Sequence, residues 1–100
     1  MIYITMLIFV KEGKEETFLE FESHAIPLMQ KYSGQIIYRI RPSRDSFISA
    51  EEELPYEIHF ISFESDSHLT NFMNDDSRLK FIHLKNESIK STILIKGEKM

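Results

Sequence analysis

Apolar positions follow two rhythms along this chain. Residues 2–10, IYITMLIFV, are β-branched and aromatic in a run too short for an independent helix, which reads as a strand buried on both faces. Lys11 to Lys14 turn the chain at Gly13. From Glu15 to Tyr32 the apolar positions Phe18, Phe21, Ala25, Leu28, Met29 and Tyr32 recur at intervals of three and four, the helical period. Glu15 and Glu16 crowd the first turn, where the helix dipole favours acids, and Gly34 stands where a left-handed C-cap would want it. Pro27 removes one backbone hydrogen bond and predicts a kink. Residues 35–41, QIIYRIR, form a second strand ended by Pro42, and residues 43–55 are polar, acidic and unpatterned, hence a loop. Residues 56–63, YEIHFISF, alternate well enough for a third strand. Ser65 and Asp66 are N-caps for a second helix carrying Leu69, Phe72 and Met73. Asn74 to Ser77 interrupts it, a further helical stretch carries Leu79, Ile82 and Leu84, and residues 91–96, STILIK, make the last strand.

One domain over residues 1–100 with the order βαββαβ predicts an α+β, ferredoxin-like protomer: a four-stranded antiparallel sheet with both helices on one face. The other face is then uncovered. On the first strand both alternating sets are apolar or aromatic, Ile4, Met6 and Ile8 on one side and Tyr3, Leu7 and Phe9 on the other. Such a strand needs cover on both faces. A second copy packed sheet against sheet supplies it, so a homodimer is expected, its two sheets forming a dimeric α/β barrel.

Composition removes several function classes. With 42% hydrophobic and 28% charged residues the chain is too apolar for disorder. No apolar run approaches the roughly 18 residues of a membrane span, so no membrane partner is expected. The first residues do not read as a signal peptide, and a cytoplasmic location is expected. With no cysteine there is no disulfide, thiolate nucleophile or cysteine zinc site. A net charge of −4, with 12 dispersed basic residues against 16 acids, argues against a nucleic-acid partner. The RNA-recognition motif has the same element order, but its third-strand signature would fall on Tyr56 to Phe63, where only Phe60, Ile61 and Phe63 fit. The histidines, His24, His59, His68 and His83, show no metal-ligand spacing, so no metal is expected. Gly13, Gly34 and Gly97 build no phosphate loop, no serine stands in G-x-S-x-G, and no cofactor is expected.

The informative chemistry is polar residues inside strands. Arg39 and Arg41 share one face of the second strand, and Glu57 and His59 share one face of the third. If these strands pair as a hairpin, one register sets Arg41 opposite Glu57 and Arg39 opposite His59. A solvated edge with a modest salt bridge is one reading of this group. The other is a pocket, since a buried arginine needs partners and a wall of Arg and His suits a small anionic or carbonyl-bearing ligand. His24, beside the helical apolar stripe, is a further candidate as a general base. Residues 43–55 join the two charged strands, and a loop of this length is functional or mobile. Two readings stand: a lid, tucked by Phe47 and Ile48, over a pocket floored by Arg39 and His59, or a connection packed on a partner subunit.

The segments Phe21-Glu22-Ser23-His24-Ala25-Ile26-Pro27-Leu28, Lys31-Tyr32-Ser33-Gly34, YRIRP (38–42), PYEIHFISFES (55–65) and FMNDDSRLKFIHLKNESIKSTILIKG (72–97) together resemble a small bacterial protein of the dimeric α/β-barrel superfamily. The branch is a domain of unknown function related to the antibiotic-biosynthesis monooxygenases, and the resemblance covers nearly the whole chain. It implies a ferredoxin-like protomer and a barrel built from two sheets. The superfamily holds cofactor-free monooxygenases and isomerases as well as proteins with no known task, so catalytic residues are not assigned. The expectation is a small-molecule-binding dimer, either a cofactor-independent monooxygenase- or isomerase-like enzyme or a non-catalytic binding or structural module. A water-shielded cavity with a titratable group in reach marks the first; a filled interior marks the second.

Overall fold

A computed structural model describes residues 1–100. Its elements are β1 (Ile2–Val10), α1 (Glu15–Gln30), β2 (Gln35–Ile40), β3 (Glu57–Phe63), α2 (Asp66–Met73), α3 (Asp76–Lys80), α4 (Ile82–Ser88) and β4 (Ile89–Gly97), with one 3-10 turn at Arg44–Ser46. The strands lie in the order β2-β3-β1-β4, every neighbouring pair antiparallel. This is the ferredoxin-like α+β arrangement that the order of elements predicts. No helix is long and apolar enough to cross a membrane.

The period of each element decides which residues it buries. In α1 the stripe Phe18, Phe21, Ala25, Leu28 and Met29 is buried, and Glu22 lies on the same stripe. Leu28, Met29 and Phe72 meet Ile2, Ile4, Ile61 and Phe63 of the sheet in one core cluster. Phe21, Ala25 and Leu84 form a smaller cluster where α4 packs along α1. Full burial of such side chains contributes about 1.5–3 kcal/mol each. The core is thus in two parts, and a cavity lies between them.

The breaks differ in detail from their expected places. Helix α1 ends at Gln30, two residues early, and Ser33 rather than Gly34 takes the left-handed conformation, with φ 58°. Gly34 is required for another reason. A Cβ there would stand 2.5 Å from Met29 Cγ and 2.7 Å from Phe63 Cε1, so the turn closes onto the core only without a side chain. The second helical region becomes three short helices because Asp75 caps α3, accepting from the backbone N–H groups of Ser77 and Arg78. Strand β4 begins at Ile89, two residues before the expected start.

Candidate functional site: a cavity between sheet and helices

Strand β3 directs Glu57, His59, Ile61 and Phe63 toward the helices, and all four are buried. The β2–β3 hairpin sets Arg39 opposite His59 and Ile40 opposite Ile58, the register expected from the charged pairs, after a bulge between Ile36 and Tyr38. Arg41 lies one residue beyond β2. Arg39 Nε donates to Glu57 Oε2 at 2.9 Å, and an Arg41 terminal nitrogen donates to Glu57 Oε1 at 2.8 Å. His59 Nε2 bonds the same Glu57 Oε2. An ionised carboxylate only accepts, so Nε2 carries the hydrogen. From α1, Glu22 Oε2 approaches this nitrogen to 3.9 Å.

The two glutamates are shifted in opposite directions from the ordinary carboxylate pKa. Burial alone would raise Glu57, but hydrogen bonds from His59, Arg41 and Arg39 outweigh it and bring its pKa down to about 2. Glu22 has no guanidinium of its own. Burial dominates and pushes it up to about 6; His59 opposes the rise, the Glu57 charge adds to it, and the Arg39 charge opposes it.

Glu22 and His59 stand in the wall of a cavity of about 220 Å³ enclosed between the sheet and the helices. Most of its wall is apolar, including Ile4, Met6, Phe21, Met29 and Phe72. Leu94 of the edge strand β4 lines it and is half-exposed, which marks that side as the approach from solvent. Three cations also line the wall, Arg78 of α3, Lys85 of α4 and Lys96 of β4. Burial lowers the pKa of Arg78 and Lys85, and the Arg78 charge lowers that of Lys85 further.

The structure separates the candidate residues. His59 lines the cavity, and Glu57 lies directly behind it. Arg39 and Arg41 do not reach the cavity; β2 is an edge strand, so their side chains stay 37% and 44% exposed and reach Glu57 from the solvent side. His24 does not reach it either, because it is exposed on α1 and stacks on Phe81 with ring centroids 5.2 Å apart. The loop 43–55 is no lid over His59. It lines a separate polar groove with Arg41 and Lys90, Glu53 pairs with Lys90 at 3.0 Å, and Ile48 is fully exposed. Glu22, Arg78 and Lys85 are the cavity residues that the strand-based reasoning missed. For Glu22 a sign was present, since its spacing from Phe18, Ala25 and Met29 puts it on the apolar stripe. Ligand atoms of Glu22, Glu57 and His59 lie within 4.8 Å of one another. Two guanidiniums already neutralise Glu57, which disfavours a divalent cation there and suits a proton.

No protein-family model matches the sequence, and no curated protein matches it. Solved structures do. The RPA0582 protein of unknown function from Rhodopseudomonas palustris matches with a TM-score of 0.85 at 10% identity, over 99% of this chain and 82% of that one. A putative antibiotic biosynthesis monooxygenase from Nitrosomonas europaea matches at 0.75 and 9% identity, over 100% and 99% of the two chains. The chain shares their ferredoxin-like fold. An uncharacterised NIPSNAP domain protein from Burkholderia xenovorans has it as well, at 0.73 and 10% identity, over 100% and 95%. Monooxygenase-like relatives of this fold are those that the sequence resembles, and at such identities the likeness carries the fold alone.

Proposed function

We propose that the protein is a cytoplasmic homodimer that binds a small carbonyl compound in this cavity and moves a proton on it, as an isomerase-like or cofactor-free monooxygenase-like enzyme does when it enolises its substrate. One observation carries this reading: Glu22 is a buried carboxyl in an apolar cavity wall, raised to about 6, without a guanidinium partner. A general base works best with a pKa near the operating pH. Ionised Glu22 takes a proton from the carbon beside a carbonyl, and the electron pair moves onto the carbonyl oxygen. In a β,γ-unsaturated ketone the resulting dienolate takes that proton back at its γ carbon as the electron pair returns from the oxygen, which completes an isomerisation. His59, fixed by Glu57, orients the neighbouring wall. A purely structural module gives no reason to bury this carboxyl, at about 2 kcal/mol near neutral pH.

The test is exchange of α-protons for deuterium, followed by NMR, in a panel of small aromatic ketones and β-keto acids. Wild type should exchange at least one member, with a rate that rises with pH through about 6 as Glu22 ionises. Glu22→Gln should slow it by about 10²–10⁴-fold while keeping its fold. No exchange above buffer, or equal exchange in the variant, overturns the reading.

The dimer rests on the sheet's other face. The pairing aligns Tyr38, Phe60, Thr5 and Ile95 in one row and Ile40, Ile58, Leu7 and Ile93 in the next, with no charged residue in either. Tyr38, Ile40, Ile93 and Ile95 are each about half-exposed or more. Tyr3 stacks on Phe60 on this face, but without lysine or arginine it lacks what phosphates require. A second copy presents the same apolar surface and covers it. Sedimentation equilibrium should give about twice the 11.9 kDa chain mass, and Ile93→Asp should give a folded monomer.

A further inference from the structure

The least satisfied polar group in the molecule is Arg78. Its residue is 7% exposed, and its buried Nε has no hydrogen-bond partner. One terminal nitrogen donates to the Met73 carbonyl at 3.3 Å, and the guanidinium lies 5.5 Å from the Phe72 ring centroid. No carboxylate pairs with it. Lys85, half-buried and within electrostatic reach, has no acidic partner either. Lys96, also on the cavity wall, differs, since Asp66 neutralises it at 2.9 Å. Two neighbouring cations without a counter-ion, one holding an idle buried donor, are costly to keep in a folded protein.

Both cations line the cavity that holds Glu22. The charges that act on Glu22 are those of His59, Glu57 and Arg39, so the Arg78–Lys85 pair forms a second, separate pole. We infer that the ligand is a small carboxylic acid whose carboxylate is held by Arg78 and Lys85 while its apolar body lies against Ile4, Met29 and Phe72. This deepens the function proposed above and rests on the same cavity. A permanent anion at one pole aims the rest of the ligand along the apolar wall, toward the carboxyl pole. The volume of about 220 Å³ equals about seven waters of liquid and is smaller than pockets for drug-sized ligands. That suits a single aromatic ring or a short acyl chain. A phosphate monoester fits less well. One Arg78 nitrogen is already spent on Met73, and a dianion would leave acceptor oxygens unpaired in an apolar space.

The test uses three probes of nearly equal shape, benzoate, benzamide and phenyl phosphate, measured by titration calorimetry on wild type, Arg78→Met and Lys85→Met. Wild type should bind benzoate about tenfold or more tighter than benzamide, the order expected of a charge-assisted hydrogen bond. Arg78→Met should bind the two alike. Lys85→Met, whose side chain is half-exposed and whose folding is not at risk, should reduce the preference in the same direction. Equal binding of benzoate and benzamide by wild type overturns the inference and leaves the cavity as a ligand site. So does a preference that survives both substitutions. Tighter binding of phenyl phosphate than of benzoate overturns the assignment to a carboxylate. Failure of every probe overturns the inference too, while proton exchange judges the enzymatic reading separately.

Discussion

Glu57 and Glu22 both approach Nε2 of one imidazole, that of His59, and both are almost inaccessible to water, at 1% and 6% exposure. Glu57 belongs to the hairpin at the sheet edge, where Arg39 and Arg41 reach it and keep part of their hydration. Glu22 projects from the middle of α1 into a largely apolar interior where no guanidinium pairs with it. The first is held at about 2 and the second at about 6. Burial is common to both; only the partners differ. The edge therefore carries a fixed charge that orients His59, and the cavity wall carries a carboxyl able to change its charge near neutrality.

The most damaging change to this contrast is loss of the fixed charge. Glu57→Gln should cost about 3 kcal/mol at neutral pH, because it removes the charge that His59 and two arginines share and turns one acceptor oxygen into an amide donor facing them. Chemical denaturation measures it, and a cost below about 1 kcal/mol would mean that Glu57 is dispensable. Glu22→Gln should act the other way. It should stabilise the protein by about 2 kcal/mol at neutral pH, from the gap between 4.5 and about 6. In wild type the same gap makes Glu22 cost stability as pH rises through about 6 and cost nothing below 4.5. Glu57 contributes stability above 4.5 that is lost as pH falls toward 2. Thermal melts should accordingly peak near pH 4.5–5, and the decline from there to neutrality should vanish in Glu22→Gln. The smallest effects belong to Arg39→Met and Arg41→Met. Each should cost about 0.5–1 kcal/mol, since both side chains are more than a third exposed and solvent screens them.

Much of this was legible in the chain. The three-and-four spacing of Phe18, Phe21, Ala25 and Met29 predicted α1 and its buried stripe, and the order of elements predicted the four-stranded antiparallel sheet. The pairing of Arg39 with His59 followed from one assumed hairpin register, because opposed charged positions on alternating strands leave few alternatives. The expectation that Arg39 floors a pocket failed, since strand sequence does not say which strand lies at the edge. His24 failed for a similar reason. It sits beside the stripe, and Phe81, 57 residues later, takes its ring onto the surface.

Sequence alone determined the kinds and order of elements, because hydrophobic period acts over a few residues and each segment carries its own. It also determined which residue types were on hand for chemistry. Tertiary structure decided which of them meet. Arg78 lies in a helix of five residues with no period to read, and only the packing of α3 against α1 and α4 leaves its Nε buried and idle. Glu22 is one of four acids in α1, and only the sheet beneath it makes that carboxyl differ from Glu15, Glu16 and Glu20. Desolvation and pairing depend on groups far apart in the chain, so the charge state of a carboxyl becomes defined only when the elements have packed.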